Sequence, residues 1–220
     1  MLGLLNQFRR WVGLGLLLVG MALTTPLLTH YAVYHWQQYR LQKAWQQIQP
    51  LSNHNSVASS SPQQLPAPPP VITSPKAQPK RVSRINTSWY PAPLVGRISI
   101  PRMGLDDIIL DGTSLNILQY GPGHLIGSAY PGQPGNSIIA AHDDVQFHTL
   151  GQLQSGDPVY VTDTKGKTYK YIVESYRVIG PQDVIALKTP VPTLTLSTCY
   201  PFNAYKDTPY RYIVTAHLVS

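Results

Sequence analysis

The sequence predicts an all-β domain, a barrel or a sandwich, over residues 94–220. Three observations point there. From Leu94 onward, short apolar runs alternate with turn signals at a spacing that suits the strands of a sheet-rich domain. Charged residues make up only 12% of the chain while 21 prolines and 16 glycines punctuate it, which disfavours an all-helical protein. The composition also changes abruptly near residue 94, where a proline-rich stretch gives way to those strands.

Residues 11–39 hold no Lys, Arg, Asp or Glu, and Trp11–Leu28 is an apolar run of eighteen residues preceded by Arg9 and Arg10. That is about long enough to cross a bilayer, and Tyr31, Tyr34 and Trp36 suit an interfacial belt. The expectation is a retained signal-anchor over residues 11–36, with residues 1–10 in the cytoplasm and the bulk of the chain outside. A cleavable signal peptide competes with it, but no convincing small-x-small cleavage site follows the run. Residues 37–93 then read as a stalk. A short amphipathic stretch, Arg40–Ile48, leads into positions 50–93, where ten of 44 residues are proline. Such a segment buries too little apolar surface to fold and favours extended, polyproline-like backbone. The domain beyond it is expected to fold and keep its chemistry without residues 1–89.

Within 94–220 the expected strands are Val95–Ile100, Asp107–Leu110, Ser137–Ala141, Pro158–Thr162, Thr168–Ile179, Thr193–Thr198 and Tyr210–Val219. Turns fall at Gly121-Pro122-Gly123, Pro131-Gly132, Pro134-Gly135-Asn136 and Lys165-Gly166. Thr113–Gln119 and Phe147–Leu153 each suit a short helix.

The formal net charge of +7 suggests nucleic acid until it is divided along the chain. Residues 1–90 carry eight Lys/Arg and no acid, whereas residues 91–220 carry nine Lys/Arg against ten Asp/Glu. The basicity therefore belongs to the leading segment. Beside an apolar run it suits anionic lipid, and nucleic-acid binding is not expected of the near-neutral domain.

One cysteine cannot form an internal disulfide, so Cys199 reads as a reactive thiol or a small buried hydrophobe. Its strand decides. Leu194 and Leu196 share one face, so Thr195, Ser197 and Cys199 share the other by period-2 alternation. Cys199 thus ends a strand on its polar face, just before Tyr200-Pro201, which favours the reactive thiol. Arg211 opens the next strand, which can lie antiparallel to the first across the loop Tyr200–Tyr210. It would then stand opposite Cys199, where a guanidinium can bind a developing oxyanion. A thiol with a pKa of ~8.5 needs a proton acceptor and donor. His142, at the end of an apolar strand, is the first candidate, and His124, after the Gly-Pro-Gly turn, is its best rival. His30, His35 and His54 belong to the leading segment. His148 reads as a loop residue and His217 as a strand residue.

The run Thr195-Leu196-Ser197-Thr198-Cys199 resembles the cysteine motif of the sortase family. Cys199-Tyr200-Pro201-Phe202 followed by Arg211-Tyr212-Ile213-Val214 is similar to the cysteine-to-arginine hairpin of class D and related sortases. Gly135–His142 resembles the family's histidine strand, and Gly121-Pro122-Gly123-His124 has a counterpart too. The resemblance covers about residues 94–219. It departs where Ala141 precedes His142 and Asp143-Asp144 follow it, positions at which the family commonly has glycine and arginine-aspartate. A solvated acidic turn is a better reading of that pair than a cation site.

The resemblance implies a closed eight-stranded sortase-type β-barrel with one or two short helices, preceded by a transmembrane helix and a Pro-rich stalk. It implies a transpeptidase for Leu-Pro-x-Thr-Gly/Ala-like sorting signals, with Cys199 as nucleophile, His142 as acid/base and Arg211 steadying the oxyanion or the substrate backbone. No metal or organic cofactor is implied. The implied partners are secreted proteins bearing the signal and an amine acceptor of the cell wall or a pilin, met at the cell membrane. Two other classes compete: a cell-wall L,D-transpeptidase or amidase-type cysteine enzyme, and a tethered binding module without catalysis.

Overall fold

The expected strands are present, and they close on themselves. The computed structural model of the chain describes residues 2–53, 91–202 and 208–220. Eight strands form the barrel: β1 (Leu94–Ile100), β2 (Leu105–Asp111), β3 (Gly123–His124), β4 (Asn136–Ala140), β5 (Pro158–Asp163), β6 (Thr168–Ile179), β7 (Thr193–Cys199) and β8 (Arg211–Leu218). Their order round the wall is β1-β2-β3-β4-β7-β8-β6-β5, with β5 returning to β1. A barrel leaves no open sheet edge. The one strand missing from the sequence-based expectation is β3. Two residues long, it carries no periodicity to read, and it bridges β2 and β4.

Alternation sorts the side chains as the pattern requires. Ile98, Ile100, Ile109, Ile139, Val159, Val161, Leu194, Leu196, Val214 and Ala216 meet inside the barrel, joined by Phe147 and Leu150 from the segment after β4. Burying each large aliphatic side chain contributes about 1.5–3 kcal/mol. The two short helices appear as α2 (Leu115–Leu118) and a single 3-10 turn at Leu150–Gln152.

The leading segment is organised differently from expectation. A helix, α1, runs from Leu2 to Asn53. The stalk expected from residue 37 therefore begins with helix through residue 53, and positions 54–90 lie outside the described residues. The helix also docks on the barrel. Tyr34, Gln38, Leu41 and Trp45 recur at helical spacing, and all four are buried. Leu41, Ala44 and Trp45 cover Ala92, Ile108 and Leu110, a second apolar cluster outside the barrel proper. Gln38 is held at both ends of its carboxamide. Its Nε2 donates to the Tyr120 carbonyl at 2.6 Å, and its Oε1 accepts from the Ile108 amide at 3.2 Å. Gly121 makes room for it, since a Cβ there would collide with that Nε2.

Tyr34, expected in an interfacial belt, instead faces the barrel. Many side chains of residues 1–30 lie outside the described residues, and among the described residues no helix is long and apolar enough to cross a membrane.

Candidate active site

Three strand ends meet at one end of the barrel. β7 and β8 pair antiparallel, with Cys199 directly opposite Arg211. β4 and β7 pair parallel, with Ala140 opposite Ser197. That register ends there, and His142 lies two residues beyond it, past the end of β4. The next rung is made by backbone and side chain together: the Ala141 amide donates to the Ser197 carbonyl at 3.1 Å, and the Thr198 hydroxyl donates to the Ala141 carbonyl at 2.8 Å. Neighbouring strands lie about 4.8 Å apart. Cys199 and Arg211 therefore face each other across β7 and β8, with His142 just past the end of the neighbouring β4. All three are half-buried, so each reaches solvent without being loose.

Thr198 packs in phase with the leucines and is buried. Its hydroxyl ties β7 to β4, which fixes the lateral spacing of Cys199 and His142. The β7–β8 loop is tied at its base. The Tyr200 amide donates to the Tyr210 carbonyl at 3.1 Å, and the Thr208 hydroxyl donates to the Tyr200 carbonyl at 2.6 Å. Arg211 spends Nη1 on the carbonyls of Thr208 and Tyr210, which orients the guanidinium plane. Tyr212, stacked between Tyr176 and Tyr200 and touched by Phe202, forms an aromatic ledge beside this end of the barrel.

His142 sits at the head of a turn whose backbone is held on both sides. Its amide donates to Gln146 Oε1 at 3.2 Å, and its carbonyl accepts from the Phe147 amide at 2.9 Å. Phe147 is fully buried, so the turn is anchored in the core. The ring borders a cleft of about 280 Å³ with Asp144, Gln146, α2 and the α1 residues Val33, Tyr34 and Gln37. A second cleft, of about 470 Å³, shares Tyr34, Val145 and Gln146 with the first and includes Asp107.

His124 is built otherwise. The ring is 1% exposed, with Nδ1 against Asp111 at 3.0 Å and Nε2 against the Ala129 carbonyl and the Ser128 hydroxyl, each at 3.0 Å. Tyr130 stacks on it at 4.7 Å. Both nitrogens are occupied by structural partners, and no face is open to a substrate. His148 is exposed beside the Val145 carbonyl, and His217 lies in β8 against Ile172 and Thr193.

Of the residues named from the sequence, the structure sets Cys199 directly opposite Arg211 and places His142 two residues past the end of the strand that pairs with β7. Sequence reasoning does not reach the contacts of Gln146, Tyr34 and Asp107. A signal for them exists in β2: Ile108-Ile109-Leu110 is an unbroken apolar run, which marks a strand buried on both faces and so in need of a cover.

A family model described as a sortase domain matches residues 98–219. Among curated proteins, Sortase D of Bacillus subtilis is 31% identical over 121 residues, covering 54% of this chain and 61% of that protein. Sortase A of Bacillus anthracis is 28% identical over 147 residues, covering 64% and 68%. The chain thus spans about three fifths of the first of these and about two thirds of the second. Among solved structures, Sortase A from Corynebacterium diphtheriae superposes with a TM-score of 0.54 at 34% identity, over 59% of this chain and 62% of that one. A Clostridium perfringens Sortase D5 transpeptidase superposes at 0.52 with 28% identity, over 58% and 79%.

Proposed function

Since the chain belongs to the sortase family, we propose that it is a cysteine transpeptidase acting on Leu-Pro-x-Thr-Gly/Ala-like sorting signals. The observation that carries this reading is Cys199 directly opposite Arg211 on β7 and β8, with His142 two residues past the end of the adjoining β4. Cys199 Sγ attacks the carbonyl carbon after the signal's threonine. Arg211 stabilises the oxyanion that develops or orients the substrate backbone. The C–N bond then breaks, and His142 gives its proton to the departing amine, leaving a thioester on Cys199. An incoming amine attacks that thioester, His142 takes up its proton, and the C–S bond breaks to release the joined product. Transfer prevails over hydrolysis only if the amine outcompetes water at the thioester. Secreted proteins bearing the signal and an amine of the wall or of a pilin are the partners that fit this chemistry. The reaction needs no metal or organic cofactor.

The uncharged run Trp11–Leu28, flanked by Arg9 and Arg10, supports a single-pass anchor near anionic lipid, with the domain outside the cytoplasm. In this reading the helix emerges from the bilayer straight into its docked segment. The barrel then works close to the membrane surface.

The test is cleavage of a labelled Leu-Pro-x-Thr-Gly/Ala peptide by the full chain in detergent. Mass spectrometry should trap an acyl adduct on Cys199, and Cys199→Ala should lose both adduct and cleavage. Cleavage that survives Cys199→Ala would remove the nucleophile and with it the reading.

A further inference from the structure

The barrel wall stops short at one place, where β6 outruns β5. The two strands pair from Thr162–Thr168 to Pro158–Ile172. The last bonds on that side are made at Val173, whose amide donates to the Asp157 carbonyl at 2.9 Å and whose carbonyl accepts from the Gly156 amide at 2.8 Å. A bulge between Val173 and Ser175 then resets the register, and β6 continues to Ile179 with β8 on its other side. Residues 174–178 are all exposed.

The register tells which backbone groups of this stretch are taken. The Leu218 amide donates to the Pro192 carbonyl, and the Tyr210 carbonyl accepts from the Tyr200 amide. Even-numbered residues of β8 therefore face β7, and odd-numbered ones face β6. Thr215, Ile213 and Arg211 stand opposite Ser175, Arg177 and Ile179, so those three residues of β6 bond to β8. By alternation, Tyr176 and Val178 turn both N–H and C=O away from β8. The stretch is closed at its far end by Gly180, whose amide donates to Asp183 Oδ2 at 2.7 Å and whose carbonyl accepts from the Asp183 amide at 3.1 Å. Between Val173 and Gly180, no strand among the described residues pairs with the outer edge of Tyr176 and Val178. Their side chains are 59% and 44% exposed, and Tyr176 stacks on Tyr212. The edge also shares a rung with the nucleophile, since Ile179 stands opposite Arg211 and Arg211 opposite Cys199.

We propose that this edge of β6 docks an extended peptide, the segment preceding the sorting signal in the substrate protein, which adds to the sheet as a further strand beside Tyr176 and Val178.

Unpaired groups on a strand edge are a template for another strand, and main-chain bonding of this kind leaves alternate side chains to be read by the surface. The distances select the occupant. Neighbouring strands lie ~4.8 Å apart, so a strand added beyond β6 lies ~14 Å from Cys199 across β8 and β6. The four residues Leu-Pro-x-Thr, extended at ~3.3 Å each, span ~13 Å. With the threonine carbonyl at Cys199, the residues just before the leucine arrive at the open edge. A second copy of the chain offers a strand too, but it comes from bulk solution. The substrate is already held at Cys199, which sets its upstream segment at an effective concentration on the order of mM. Apolar side chains at alternate positions suit Tyr176 and Val178, and a proline at a bonded position removes the donor the edge needs.

The source of the peptide rests on the transpeptidase reading; the pairing does not. With full chains in detergent, a Leu-Pro-x-Thr-Gly peptide extended upstream by Thr-Val-Thr-Val-Thr-Val should be cleaved with a kcat/KM about 5- to 20-fold above that of the short peptide. N-methylation of alternate residues in the extension should remove this gain in one phase and spare it in the other. Val178→Pro deletes an amide that faces away from β8, and should abolish the gain while cleavage of the short peptide stays within twofold. Val178→Thr keeps the amide and should keep most of the gain. Independently of activity, the extension peptide without the signal, added at millimolar concentration to Cys199→Ala, should slow amide hydrogen exchange at Tyr176 and Val178 several-fold. Exchange at Ser175 and Arg177, already bonded to β8, should not change. Equal kcat/KM for the two peptides with unchanged exchange at Tyr176 and Val178 would overturn the docking site, as would a gain that survives both Val178→Pro and N-methylation in either phase. Protection that appears without peptide and grows with protein concentration would assign the edge to a second copy and overturn it too. A wild-type chain that cleaves neither peptide, yet is protected at Tyr176 and Val178 by the extension, would keep the edge and sink the transpeptidase reading instead.

Discussion

The chain offers two histidines near the ends of adjacent strands, His124 on β3 and His142 just past β4, and they are held in opposite ways. His124 is buried, stacked on Tyr130 and bonded through both ring nitrogens to Asp111, Ala129 and Ser128. His142 is half-buried, bordered by a cleft, and held through its backbone by Gln146 and Phe147. A structural histidine spends its nitrogens on the fold. A working histidine has its main chain fixed and its ring left available. Position at a strand end does not separate the two, but the way each ring is satisfied does.

The largest expected effect on this contrast comes from His142→Ala. Loss of the proton donor should lower kcat for peptide cleavage by ~10²–10⁴-fold. Thermal unfolding should hardly move, since the ring supports little of the fold. A His142→Ala chain that cleaves at near wild-type rate would break the comparison at its root.

His124→Ala should show the reverse. It strips partners from Asp111, Ser128 and the Ala129 carbonyl at once and opens a hole beneath Tyr130. Ser128 keeps the Leu125 carbonyl and the Ile138 amide, and Asp111 keeps the Tyr130 hydroxyl. The Ala129 carbonyl is the group left short, so a loss of about 1–3 kcal/mol in stability is expected. Turnover per folded molecule, measured with active-site titration of Cys199, should stay within a few-fold of wild type. A fully folded but inactive variant would return His124 to the catalytic candidates.

How legible each region was follows from the range of its interactions. The β7–β8 hairpin is local: period-2 alternation puts Cys199 on the polar face, and a short loop brings Arg211 opposite it. The pairing of β4 with β7 is non-local, and the resemblance of Gly135–His142 to a known strand stood in for it. The docking of α1 was not read, for two reasons. Residues 11–39 carry no charge, so the membrane signal masked the amphipathic stripe at Tyr34, Gln38, Leu41 and Trp45. A helix also looks self-sufficient beside a proline-rich stretch, and only the doubly buried run Ile108-Ile109-Leu110 shows that β2 needs a cover. Removing residues 1–89 would expose Ala92, Ile108 and Leu110 to water, which argues against the expectation that this segment is dispensable.

The smallest expected effect concerns Asp107, the acceptor of the Tyr34 hydroxyl of α1. Burial pushes the Asp107 carboxyl up to about 6, and Asp106 adds to the rise, while the Tyr34 hydroxyl and His35 pull the other way. Gln146 and His148 share the cleft with it. With α1 undocked, water regains the carboxyl and it falls back toward the ordinary value of 3.8. The docked state therefore binds more protons between pH 4 and 6. Docking is strongest at the acid end of that window, weakens as pH rises through it, and levels off above 6. A rise from 3.8 to about 6 corresponds to about 3 kcal/mol at most, and water in the neighbouring cleft should reduce this to about 1–2 kcal/mol. Asp107→Asn keeps an acceptor for Tyr34 and removes the titration. The difference in thermal midpoint between wild type and Asp107→Asn should then move in favour of the variant by a few degrees from pH 4.5 to 7. A difference that stays flat across that range would mean that the carboxyl is not desolvated by α1, and that the helix meets the barrel less closely at Tyr34 than at Leu41 and Trp45.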